Sequence, residues 1–195
     1  DRYIVISADG HAGGSIADYR PYLASRWHEE FDTWAAAFEM PYEDLKGDLG
    51  PRNWDSARRL RDLDADGQVA EVIFPNTVPP FFPKVSLTSQ PPAVTASDME
   101  KRWAGLQAHN RWLADYCKPY PDRLFGIAML PLQSIDAAIE EMRFARQELG
   151  FRGLYPRRHD VITRRIRTLP VSRRETMDRI EAALAQRLTQ EGIPH

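Results

Sequence analysis

Asp9 and His11 are the two side chains in this 195-residue chain whose type and spacing most directly suggest chemistry. They flank Gly10 at the end of an apolar run, Tyr3-Ile4-Val5-Ile6. A carboxylate and an imidazole two positions apart on extended backbone point to one side, where an oxygen and a nitrogen donor can share a divalent metal ion. Gly10 permits a sharp turn where the run stops. Taken alone, Asp-Gly-His is also an ordinary turn sequence. A second pair of polar residues, Asn76 and Thr77, follows the run Val69–Pro75 in the same way and is a candidate for substrate binding. His109 lies within a helical pattern with no partner of its kind nearby, and it reads as a structural histidine. No residue is assigned a catalytic role.

The elements that must position these groups follow from the periodicity. Tyr3–Ser7 reads as a parallel strand buried on both faces, with Asp9 and His11 at its carboxyl end, where parallel α/β folds collect ligands. Between about Ala12 and Asp62, Tyr19, Tyr22, Leu23, Trp27, Phe31, Trp34 and Phe38 recur at three- and four-residue steps, the apolar face of one or two helices. A short helix over Arg58–Asp64 closes at Gly67. Val69–Pro75, Leu124–Pro131 and Gly153–Tyr155 are the second, third and fourth strands. Residues 78–92 hold five prolines around Phe81 and Phe82, so an ordered loop is expected there, its aromatic pair either roofing a pocket or packing on the end of the sheet. Ser97 and Glu100 suggest a capping box for a helix carrying Trp103, Leu106, Leu113 and Tyr116, and Ser134 a cap for the helix that ends at Gly150. Strands alternating with helices specify a parallel sheet with right-handed crossovers. A (β/α)₈ barrel takes about 250 residues, and this chain supplies about half of one.

Composition is that of a globular domain, with 43% hydrophobic and 28% charged residues. The single cysteine, Cys117, cannot form an internal disulfide and suits a reducing, cytoplasmic setting. No apolar run is long enough for a membrane span, and no phosphate-binding glycine loop or nucleophile elbow is present. The net charge of −2 conceals a division. Residues 1–150 hold 16 basic and 23 acidic residues, and residues 151–195 hold ten arginines, no lysine and five acids. The β/α alternation stops at the same place. After Pro156 the pattern is helical, with a basic stretch over Arg157–Arg167 and then a Ser172/Glu175 capping box ahead of Met177, Ile180, Leu184 and Leu188. The chain therefore divides into residues 1–156, a half barrel, and residues 157–195, a basic helical tail. A solvated helical face explains the basic charge more simply than an anionic partner. Without interleaved aromatics or a known module, nucleic acid is not expected.

Several motifs in order resemble the amidohydrolase 2 family, the metal-dependent hydrolases related to aminocarboxymuconate-semialdehyde decarboxylase. They are Ser7-Ala8-Asp9-Gly10-His11-Ala12-Gly13-Gly14, Arg59-Leu60-Arg61-Asp62-Leu63-Asp64-Ala65-Asp66-Gly67, Glu71–Phe81 and Ala108-His109-Asn110-Arg111-Trp112-Leu113-Ala114, together spanning about residues 1–153. The resemblance implies a distorted (β/α)₈ TIM-type barrel with a divalent metal, zinc before manganese, at the carboxyl end of the strands. It implies Asp9 and His11 as metal ligands, Asp9 standing where the family often has a first histidine. The activity implied is hydrolysis or decarboxylation of a small carboxylic or aromatic substrate. The family's further ligands and catalytic aspartate lie on later strands, and nothing after residue 156 resembles those. A truncated barrel with an incomplete active site is therefore expected. The alternative is a non-catalytic fragment or fusion product that forms oligomers through an exposed barrel edge. The segment from Leu149 to Arg158, with Arg173-Arg174-Glu175 and Glu191-Gly192-Ile193-Pro194, is more weakly similar to the region joining the two domains of a bifunctional guanosine tetraphosphate synthetase/hydrolase.

Overall fold

Four segments of the chain pair as parallel strands in the order in which they occur. In a computed structural model, residues 3–40, 43–76, 78–83, 95–131 and 135–156 are described, together with Ala182, Gln186, Thr189 and Gln190. The strands are β1 (Ile6–Ala12), β2 (Ala70–Pro75), β3 (Leu124–Leu130) and β4 (Gly153–Pro156). The helices are α1 (His28–Ala36), α2 (Ser56–Ala65), α3 (Ala96–Cys117) and α4 (Ile135–Gln147). The sheet order is β1-β2-β3-β4, and every neighbouring pair is parallel. A doubly wound sheet reverses its strand order part-way and places helices on both faces. An unreversed order steps every crossover the same way, which is the winding of a (β/α)₈ barrel. The fold is thus α/β, with the four strands of a partial barrel.

The faces of the strands agree with that winding. Gly10, Ala12, Ile73, Pro75, Leu124, Gly126 and Ala128 are buried, whereas the alternating residues Val72, Phe74, Phe125 and Ile127 are half-buried. The buried set meets the helices. Ala12, Ile73, Leu124 and Ala128 share one core with Leu113, Trp112 and Tyr116 of α3 and with Tyr19 and Phe31. The other set lines the inner face, which a complete barrel would enclose.

One strand differs from expectation. Tyr3, Ile4, Val5 and Ile6, read as a strand buried on both faces, are 92%, 77%, 47% and 55% exposed. The reason is position. Tyr3–Val5 precede β1, which begins at Ile6, and among the described residues no strand other than β2 pairs with β1. Its register also shifts between Ser7 and Gly10, a bulge that breaks the ladder beside Asp9.

Local signals explain most element ends. The Asp55 carboxylate accepts the Arg58 N–H at 2.9 Å and caps α2. α3 is capped by Thr95, whose hydroxyl accepts the Asp98 N–H at 3.0 Å and donates to the Asp98 carboxylate at 2.8 Å, rather than by the Ser97/Glu100 pair. That pair lies inside the first turn because the helix begins at Ala96. The aromatic segment after β1 forms short 3₁₀ turns, Ile16–Tyr22 and Ser25–Trp27, before α1, with Pro21 inside the first of them. Phe82 packs with Val78, Leu106 and Met129, while Phe81 lies against Trp27, Phe31 and Trp34. Phe82 therefore packs against β3 and α3, and Phe81 against the 3₁₀ turn and α1. The Ser134 cap, Thr77 and the expected tail helices, apart from the helical Ala182, Gln186, Thr189 and Gln190, fall outside the described residues.

Candidate metal-binding edge

Asp9 and His11 are both exposed, whereas the intervening Gly10 and the following Ala12 are buried. His11 therefore faces the inner side near the carboxyl end of β1, and Asp9 is exposed beside the bulge two residues before it. His11 pairs in register with Phe74 of β2, and the two rings lie 5.9 Å apart, centroid to centroid.

The sharp turn expected at Gly10 is absent, since β1 continues to Ala12, and the outer side of this part of the strand is held by charge. Gly10 leaves room for the carboxylate of Glu71, which reaches across from β2 and is 5% exposed. Arg59 of α2 meets that carboxylate with two parallel bonds, Nε to Oε2 at 2.7 Å and a terminal nitrogen to Oε1 at 2.8 Å. Its other terminal nitrogen donates to the His11 carbonyl oxygen at 2.9 Å. A planar guanidinium suits a forked contact of this kind. Burial works against the Arg59 charge, but the Glu71 carboxylate outweighs it, so the Arg59 pKa stands above its ordinary value.

The loop beyond His11 is fixed from three further directions. The Asn76 N–H donates to the Ala12 carbonyl at 2.9 Å, and the Gly13 N–H to the Asn53 carbonyl at 3.3 Å. The Tyr19 hydroxyl accepts the Gly14 N–H at 3.0 Å and lies 3.0 Å from Nδ1 of His109. His109 is fully buried beside Tyr19 and Trp112, so its role is structural, as expected. Asn76, proposed for substrate binding, is half-buried and donates its side-chain amide to the Asn53 side-chain oxygen. That bond ties the end of β2 to the turn before α2.

Asp9 and His11 supply one oxygen and one nitrogen donor, a pair that fits a divalent ion. They do not make a complete ligand set. A catalytic zinc site usually takes three protein ligands. Among the described residues no group of three or more His, Cys, Asp or Glu side chains is placed to hold a metal. A cleft of about 630 Å³ is lined by Cys117, Leu124, Gly126, Leu149, Phe151 and Gly153, among others. It lies at the amino ends of β3 and β4, the opposite end of the sheet from His11, and is not part of this site.

Motif reading missed the Arg59–Glu71 pair as part of the site. The available signal was Glu71 itself, an acid inside the otherwise apolar run Val69–Pro75. Such a charge needs a partner when buried.

No family model matches the chain. A gamma-resorcylate decarboxylase from Rhodococcus jostii (strain RHA1) is 44% identical over 68 residues, which is 34% of this chain and 21% of that protein. The 2,6-dihydroxybenzoate decarboxylase from Rhizobium is similar in structure, with 21% identity, a TM-score of 0.45, and coverage of 78% of this chain and 38% of its own. A manganese-bound 5-carboxyvanillate decarboxylase from Novosphingobium aromaticivorans DSM 12444 gives 24% identity and a TM-score of 0.49, covering 78% of this chain and 41% of its own. The chain thus spans about a fifth of the length of the curated relative and about two fifths of these solved chains. An amidohydrolase II protein and a putative amidohydrolase from Staphylococcus aureus are also similar in structure, at 15% and 19% identity and a TM-score of 0.44 each, with 40% and 36% of their own chains covered.

Proposed function

We propose that this chain is the metal-binding first half of an amidohydrolase 2 decarboxylase or hydrolase, acting on a small aromatic carboxylate. The observation that carries the reading is the exposure of both Asp9 and His11 toward the carboxyl end of β1. The 44% identity to a gamma-resorcylate decarboxylase supports decarboxylation of a phenolic acid ahead of hydrolysis. Asp9 would donate a carboxylate oxygen and His11 an imidazole nitrogen. A divalent ion bound there would polarise a carboxylate or water oxygen. Zinc is the first candidate from the motifs, and manganese is supported by the 5-carboxyvanillate decarboxylase. Two protein ligands leave the set incomplete, so no reaction step is assigned to these residues by themselves. Asn76, at the neighbouring strand end, is a substrate-side residue in this reading, Thr77 joins it on sequence grounds alone, and the division at residue 156 separates the half barrel from a basic tail. No helix among the described residues is long and apolar enough to cross a membrane, and a cytoplasmic location belongs to this reading.

The test is the metal content of the purified, dialysed chain, measured by elemental analysis. About one equivalent of zinc or manganese, lost in His11→Ala and Asp9→Asn, is the expected result. Metal content unchanged in His11→Ala overturns the assignment.

A second reading is favoured by the exposure of Tyr3–Ile6 on an unpaired edge. Edges of this kind seek a partner strand. In this reading the chain is a non-catalytic homo-oligomer, and light scattering on the eluting species separates the two. A clean monomer excludes assembly through the edge.

A further inference from the structure

Adjacent carbonyls on a strand point in opposite directions within the sheet. The Ala12 carbonyl points toward β2, where it accepts the Asn76 N–H. The His11 carbonyl therefore points away from β2, toward the edge that has no strand beside it among the described residues. The bulge between Ser7 and Gly10 has already loosened the ladder just before it. At this position the donor is a side chain, Arg59, at 2.9 Å.

We propose that Arg59 is a positioning residue for the metal-binding edge: it fixes the His11 peptide, and through it the direction of the imidazole, in place of a neighbouring strand. The inference rests on the Asp9/His11 reading above. Three observations support it. The guanidinium is immobilised by its two bonds to Glu71, a carboxylate that is itself buried between sheet and helix. The remaining arm is therefore aimed, not merely available. Gly10 carries no side chain, and a Cβ there would lie 2.0 Å from Glu71 Oε1, so the residue between the two candidate ligands is the one that admits the pair. Finally, Arg59 approaches from the outer, helix-covered side, whereas His11, between the buried Gly10 and Ala12, faces the inner side, so Arg59 orients the imidazole without occupying the site. Partners that orient a ligand from behind commonly tune metal affinity by about 10- to 100-fold when removed.

The test compares the wild-type chain with Arg59→Lys, using His11→Ala as reference. A lysine ammonium can pair with Glu71 but lacks the separate guanidinium arm that reaches the His11 carbonyl, so the variant is expected to fold. Two quantities are read: the affinity for Mn²⁺ or Zn²⁺ alone by calorimetry, and the His11 carbonyl carbon and ring signals by NMR on the metal-free chain. The expected result is a displaced His11 carbonyl signal together with metal binding weakened by about tenfold or more, while His11→Ala abolishes binding. Unchanged His11 signals overturn the proposal, and so does a displaced signal with unchanged affinity. If the wild-type chain binds no metal, the functional reading fails. The positioning claim is then decided by the metal-free spectra: a displaced His11 carbonyl and ring in Arg59→Lys supports it, and unmoved signals overturn it.

Discussion

Gly10 lies so close to Glu71 that a Cβ built on it would meet Oε1 at 2.0 Å and the carboxyl carbon at 2.2 Å. The carboxylate cannot simply swing aside, because Arg59 grips both its oxygens at 2.7 and 2.8 Å. Here the glycine is required for space more than for backbone freedom. The same small residue separates Asp9 from His11, so the packing of β1 on β2 and the presentation of the two candidate ligands are coupled at one position.

Gly10→Ala is therefore expected to destabilise the fold by about 1–3 kcal/mol, the usual range for overpacking a filled site. Urea unfolding followed by tryptophan fluorescence, with Trp112 buried in the core, checks this. An unchanged midpoint would mean that Glu71 has another place to go. Gly67→Ala provides a contrast: nothing lies within 4 Å of its Cβ, and its φ of +71° makes any cost one of backbone strain.

The sheet order and most element positions were legible in the sequence, since the apolar runs and the turn residues carry them. Gly67 and Gly150, read as stops, sit at φ +71° and +72° where α2 and α4 end. The exposure of Tyr3–Ile6 was not legible, because a run apolar at every position looks the same at the edge of a sheet as at its centre. Burial there depends on a neighbouring strand, which is a property of the assembled sheet. Within the candidate site, the exposure of His11 between the buried Gly10 and Ala12 followed from a period of two, whereas the bulge before Gly10 leaves no local pattern to read. The Arg59–Glu71 grip was not legible either, because it joins two elements whose relative placement no local pattern records.

The second prediction concerns a buried polar junction on the outer side of β3. Asn110 of α3 donates to the Met129 carbonyl at 2.9 Å and to Glu141 at 2.8 Å, and its oxygen accepts the Met129 N–H at 2.8 Å. Gln107 donates to the other oxygen of Glu141 at 3.1 Å. The register of β2 with β3 runs only over Leu124–Gly126, so Asn110 serves the backbone of β3 where β2 no longer does. Asn110→Leu leaves the Met129 peptide without these bonds and removes one donor from an acid that is 1% exposed. Each orphaned buried group costs about 1–3 kcal/mol. The expected loss, about 3 kcal/mol or more by that reckoning, should exceed that of Gln107→Ala, in which Glu141 keeps Asn110. Chemical unfolding of the two variants decides the order, and equal losses would assign the junction no special role.

The third prediction is a pH dependence. Burial pushes the Cys117 thiol up from 9.0 to about 12. Burial, aided by the hydrogen bond to Asp115, pushes the Tyr22 phenol up from 10.0 to about 12. In both cases the neutral form is favoured in the folded chain. Between the unfolded and folded pKa values the unfolded chain has released its proton and the folded chain has not, so the unfolded state binds fewer protons and stability falls as pH rises. The contribution is fully present below about pH 9, declines from there, and is lost as pH passes about 12. A thiol reagent applied at pH 8 should accordingly react with Cys117 only as fast as the chain opens, and its rate should rise with urea. Fast labelling of the folded chain at pH 8 would place Cys117 outside the core that it shares with Leu113, Tyr116 and Leu124.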